Sequence, residues 1–149
     1  MVVHWIWASR KVTFPGERVS SETFKNFKEE LYEHVKDDDM CKSMILPKYL
    51  KSAIIKAKVL LISKTDEKIE GFTTFEIIDD ELHIPLICSN VKGTGTKMLD
   101  AIFEYVNSHS KIKSVTLESI PEAFDFYAKK GFDIYCPEGE LCPMIYRKK

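Results

Sequence analysis

Leu86-Ile87-Cys88-Ser89-Asn90-Val91-Lys92-Gly93-Thr94-Gly95-Thr96-Lys97 is the stretch on which the fold turns. An apolar run enters a loop with two glycines. The hydrophobic period then changes to that of a helix, with Met98, Leu99, Ile102, Phe103 and Val106 on one stripe. Glycines let main chain approach an anion closely, and the first amides of a helix point outward with no intrahelical acceptor. The helix dipole adds attraction for negative charge at that end. Lys92 and Lys97 bring positive charge, and Thr94 and Thr96 bring hydroxyls. A P-loop needs four residues between its glycines, whereas Gly93 and Gly95 are one apart. A dinucleotide-binding loop needs a third glycine where Met98 stands. Two glycines alone do not separate a phosphate cradle from an ordinary strand-to-helix turn.

Working outward, residues 2–8 are β-branched and aromatic, as in a strand. Ser20 and Ser21 can cap a helix carrying Phe24, Phe27, Leu31 and Val35. Pro47 can open a second helix with Leu50, Ile54 and Ala57 inward. Strands follow over residues 59–63, 69–78 and 81–88, joined by short turns that imply antiparallel neighbours. Leu82, Ile84 and Leu86 are expected on one face of the third, with Glu81, His83, Pro85 and Ile87 on the other. Beyond the glycine loop and its helix come a strand over 114–118, a short helix over 121–130 stopped by Gly131, and strands over 132–135 and 143–147. The order β-α-α-β-β-β-α-β-α-β-β describes one α/β domain spanning residues 1–149, with a mixed, mostly antiparallel sheet flanked by helices. Residues 81–118 should form one parallel strand–helix–strand unit.

Composition excludes several classes. With 22 basic and 23 acidic residues in 149, the chain lacks the basic excess of a duplex nucleic-acid binder. No segment approaches the roughly 18 apolar residues that span a bilayer, and no signal peptide is evident, so a cytoplasmic protein with free thiols is expected. Cys136 and Cys142 are spaced too widely for a zinc knuckle, with no histidine near, so no metal is expected. His4, His34 and His109 lack supporting context and are expected on the surface.

Asn90-Val91-Lys92-Gly93-Thr94-Gly95 resembles the first signature of the GNAT superfamily of N-acetyltransferases, Gln/Arg-x-x-Gly-x-Gly/Ala. Ala123-Phe124-Asp125-Phe126-Tyr127-Ala128-Lys129-Lys130-Gly131-Phe132 is similar to its second, and the two fall on consecutive helices in the family's order. Asn90 and Ile120 depart from residues the family prefers, Gln or Arg and Asn respectively. The resemblance implies the acyl-CoA N-acyltransferase fold and direct transfer of acetyl from acetyl-CoA, as co-substrate, to a primary amine. It implies that Leu86, Ile87, Cys88, Lys92, Gly93, Thr94, Gly95, Thr96, Phe126, Tyr127 and Lys130 contact the coenzyme. A backbone N–H near residues 86–88 would polarise the thioester carbonyl, and Tyr127 matches the position that protonates the departing thiolate. Glu81 or His83 would deprotonate the amine, His83 having the better unperturbed pKa. A covalent acyl-Cys88 route has no basic partner in sequence to support it.

Acidic clusters at residues 37–39 and 79–81 suggest a cationic acceptor, such as a polyamine, a lysine side chain or an aminoglycoside. The partner expected is this amine, with no nucleic acid and no membrane; a homodimer is compatible with the sequence. The competing reading is a non-catalytic acyl-CoA-binding or regulatory module on the same fold.

Overall fold

The structure is a computed structural model that describes residues 2–8, 14–36, 47–66, 68–89, 93–119, 124–134 and 142–148. The elements, in chain order, are β1 (Val2–Trp7), β2 (Glu17–Arg18), α1 (Ser21–Val35), α2 (Pro47–Lys56), β3 (Val59–Thr65), β4 (Lys68–Ile78), β5 (Glu81–Ser89), α3 (Thr94–Ser108), β6 (Ser114–Ser119), α4 (Phe124–Lys129), β7 (Asp133–Ile134) and β8 (Cys142–Arg147). They form an eight-stranded sheet in the order β2-β1-β3-β4-β5-β6-β8-β7. Among the described residues β1–β2 and β5–β6 pair parallel and the other neighbours antiparallel. The helices and strands match the expected order except for β2, a two-residue strand too short to carry a pattern.

Local chemistry explains the boundaries. Ser20 caps α1, its Oγ accepting from the Thr23 amide at 3.1 Å. Asp79, in the turn between β4 and β5, takes a φ of 56°, a left-handed conformation that aspartate tolerates better than most residues. The helix α4 closes on Gly131 at φ 98°: the Gly131 amide donates to the Ala128 carbonyl, and the Phe132 amide reaches back to that of Tyr127. These paired bonds are a Schellman cap, and the Tyr127 and Phe132 rings meet edge to face across it, 5.7 Å apart.

Each face of the sheet carries its own core. On one, Val59, Leu61, Phe75, Leu82, Ile84, Val115 and Leu117 pack with α3 and Tyr127. On the other, Leu60, Ile62, Phe72, Leu86 and Cys88 pack with α1 and α2. The division corrects one expectation. Leu82 and Ile84 face α3, but Leu86 faces the α1/α2 layer. The β4–β5 register explains why: Thr74 opposes Leu86 and Glu76 opposes His83, so Ile84 and Pro85 together face Phe75. This β-bulge inserts one residue and reverses the alternation beyond it. Glu81 and His83 therefore share a face with Leu86 and Cys88 rather than opposing Leu86.

Candidate active site

Two strands part in the middle of the sheet. The parallel ladder between β5 and β6 runs from Glu81↔Ser114 to Ile84↔Leu117 and stops, although β5 continues to Ser89 and β6 to Ser119. Pro85 is the first residue past the last pair, and proline has no N–H to continue a ladder. The bulge falls at the same place and turns the strand. A main-chain edge is thus left open between two strands joined lower down.

The helix α3 starts beyond the end of β5. Gly93 precedes it at φ 92°, and a Cβ built there would meet nothing within 4 Å. That is open space beside main chain, in a conformation only glycine adopts without strain. The first helical bond runs from the Lys97 amide to the Gly93 carbonyl, so the amides of Thr94, Gly95 and Thr96 have no acceptor within the helix. Thr94 is fully buried; its methyl lies against Gly71 on β4, where an added Cβ would come within 2.7 Å of it. Its side chain points inward, so the part of Thr94 that a bound anion could meet is its amide. Thr96 is half-buried and Lys97 exposed. Lys92 lies outside the described residues, as do Asn90, Ile120 and the acidic run 37–39.

Tyr127 sits on the α3 face, held by the cap of α4, by Phe132, and by Phe126 at 5.2 Å. It is buried, and desolvation of the phenolate pushes its pKa up to about 12. The phenol therefore keeps its proton throughout the neutral range. Phe126 is half-buried, with Lys130 Nζ 5.8 Å from the centre of its ring. Of the β5 residues, Leu86 and Cys88 are buried toward α1 and α2, while Ile87 packs on the α3 side. Cys88 is disulfide-bonded, which corrects the expectation of a free thiol and is consistent with discarding an acyl-cysteine route.

Glu81 and His83 lie on the opposite face from Tyr127. They line an open cleft of about 430 Å³ with Thr116, Glu118, Asp133, Arg147 and neighbouring parts of β6 and β8. Thr116 Oγ1 donates to Glu81 Oε2 at 2.9 Å and lies 2.9 Å from His83 Nδ1. Thr116 was not singled out from sequence; the signal that finds it is the parallel register, which sets it opposite His83. Arg147 and Asp133 approach to 3.5 Å at the exposed rim. From α2, the Tyr49 hydroxyl reaches the Pro85 carbonyl at 3.4 Å. His109, expected on the surface, is instead half-buried, its ring tilted against that of Tyr105 at 4.0 Å and its Nδ1 2.8 Å from the Tyr105 carbonyl. Among the described residues no cluster of three metal-ligating side chains occurs, and no helix is long and apolar enough to cross a membrane.

No family model matches the sequence, and no curated protein matches it. Solved structures do. PaiA N-acetyltransferase from Thermoplasma acidophilum, in complex with coenzyme A, is similar over 99% of this chain and 100% of its own, with a TM-score of 0.65 at 16% identity. Tetrahymena GCN5 is similar over 87% of this chain and 92% of its own, TM-score 0.67 at 14% identity. Escherichia coli ElaA is similar over 98% and 100%, TM-score 0.61 at 13% identity. The chain has the fold of the GNAT acyl-CoA N-acyltransferases, as its two motifs led one to expect.

Proposed function

We propose that this protein transfers the acetyl group of acetyl-CoA to a primary amine. The observation that carries the reading is the parting of β5 from β6, with a buried, protonated phenol on one face and a Glu81–Thr116–His83 cluster on the other. The open edge joins the two faces, so a thioester drawn through it meets an acid from one side and an amine from the other.

The residues present suit the coenzyme. The amides at the start of α3, from Thr94 to Thr96, beside the open space at Gly93, would hold its diphosphate, with Lys97 and Lys130 adding charge. The unpaired edge at residues 85–89 would take the pantetheine as an added strand. An N–H near residues 86–88 would donate to the thioester oxygen where negative charge develops. Acetyl-CoA supplies the activated acyl group.

Tyr127 donates its hydrogen toward the departing sulfur. A phenol near 12 is a weak acid beside an ordinary thiol near 8.5, a gap of about 3.5 units or roughly 5 kcal/mol. The same desolvation raises the thiolate, which narrows the gap and favours transfer at the moment the C–S bond breaks.

The acceptor we infer is cationic. Glu81, Glu118 and Asp133 line the cleft against Arg147, and Glu76 stands opposite His83 on β4. That excess of carboxylates attracts a protonated polyamine or lysine side chain. The disulfide at Cys88 lends no support to the cytoplasmic location expected from sequence, since such bonds mark oxidising surroundings or particular intracellular lineages.

Release of coenzyme A should be measured with acetyl-CoA and spermidine, lysine, a histone-tail peptide and a neutral N-terminal peptide. We expect release with the cationic amines. Activity on the neutral peptide alone would overturn the acceptor class. Tight coenzyme binding with no release for any amine would leave a non-catalytic acyl-CoA-binding domain.

A further inference from the structure

Glu81 and His83 are both placed to take a proton from the amine, and the hydrogen bonds between them decide which does. Thr116 Oγ1 touches both, at 2.9 Å each. A hydroxyl has one hydrogen, and a carboxylate has only acceptor positions. The Thr116 hydrogen is therefore committed to Glu81 Oε2, and what remains facing His83 Nδ1 is an oxygen lone pair. Nδ1 must carry the hydrogen of that contact. In a neutral imidazole this leaves Nε2 as the basic nitrogen. Among the described residues Nε2 has no hydrogen-bond partner, and the ring lines the cleft.

We propose that Thr116 is a positioning residue: it couples Glu81 to His83 Nδ1, holding His83 in the Nδ1–H tautomer with Nε2 as the base that accepts the proton of the incoming ammonium. The inference rests on the acetyl-transfer reading of the cleft. The β-branched side chain of threonine is stiff about χ1, and a strand in the middle of a sheet fixes its backbone, so the hydroxyl is held in place before substrate arrives.

The step balances. An R–NH₃⁺ group gives one proton to Nε2, leaving a free amine and an imidazolium. The nitrogen lone pair forms the new C–N bond, and the C–S bond breaks with its pair going to sulfur. Sulfur takes a proton from Tyr127, and the nitrogen's second proton replaces it. The imidazolium returns its proton to solvent, so one proton is released per turnover.

The test pairs Thr116→Val, which keeps the shape and removes the hydroxyl, with Thr116→Ser, which keeps the hydroxyl. Nitrogen-15 shifts of the His83 ring in the ligand-free protein at mildly alkaline pH should report hydrogen on Nδ1 in wild type and Thr116→Ser, and its loss in Thr116→Val. With a cationic acceptor, Thr116→Val should lower kcat about tenfold, less than the loss of a whole general base, with KM for acetyl-CoA unchanged. Thr116→Ser should stay within about twofold of wild type, since it preserves the hydroxyl link. Hydrogen on Nε2 in wild-type protein overturns the proposal, as does a Thr116→Val enzyme with unchanged kcat. A wild-type protein that acetylates no amine sinks the transferase reading alone, since the ring shifts are read without substrate.

Discussion

Gly71→Ala should weaken coenzyme binding from a position that never touches the coenzyme. A Cβ at Gly71 would lie 2.7 Å from Thr94 Cγ2, 3.0 Å from the Cys88 carbonyl oxygen and 3.1 Å from Met98 Cε. Met98 can swing its terminal methyl aside. Thr94 cannot, being stiff, fully buried and the first residue of α3. To reach ordinary contact at 3.4 Å the Thr94 methyl must retreat by about 0.7 Å, carrying the first turn of α3 with it. Overpacking of this kind costs about 1–3 kcal/mol, which in a chain of this size lowers Tm by about 2–4 °C for each kcal/mol. The displaced turn carries the amides of Thr94, Gly95 and Thr96, and hydrogen bonds to a charged group are worth about 1.5–3 kcal/mol each. Partial loss across the three should raise the Kd for coenzyme A at least about tenfold, one such bond's worth being 1.4 kcal/mol or more. Thermal unfolding and titration calorimetry read the two effects separately. A variant that melts lower yet binds coenzyme A as tightly as wild type would refute the placement of the diphosphate at the start of α3.

Gly93→Asp should abolish coenzyme binding, because its side chain carries negative charge to the anion site, and should also lower Tm, because φ 92° strains any residue but glycine; undiminished affinity in calorimetry would remove the loop from the site. Tyr127→Phe should lower turnover by about 10²–10⁴ with the Kd for acetyl-CoA unchanged, as single-turnover kinetics and calorimetry would report. The same variant tests the raised pKa. The unfolded chain ionises Tyr127 from about pH 10, whereas the fold resists until about pH 12, so stability present below pH 10 is lost as pH climbs to 12. Denaturant unfolding across that window should show wild type losing roughly 1–3 kcal/mol more than Tyr127→Phe.

The elements of this fold were largely legible because their boundaries are written in local chemistry: Ser20 as a cap, Pro47 at a helix start, Gly131 at a helix end, and a change of hydrophobic period after Gly95. What escaped is set by register. Alternation put Leu86 with Leu82 and Ile84, and only the extra residue opposite Phe75 turns it to the other face. Thr116 lies 35 residues from Glu81, and nothing local marks it. Its place beside His83 follows from how two parallel strands align, which periodicity does not encode. Thr94, a hydroxyl in a glycine loop, was expected to face the anion, yet the absence of a side chain at Gly71 gives its methyl a place inside.

Sheets usually leave raw main chain only at their two outer borders, where another polypeptide can dock and start an aggregate. Past Ile84 and Leu117 this sheet has a further border in its interior, flanked by strands on either hand. A foreign strand would have to enter between two strands already paired lower down, from Glu81↔Ser114 to Ile84↔Leu117, rather than dock along an outer border. The unpaired main chain is thus kept in the interior of the sheet, away from the borders at which a second protein would ordinarily add.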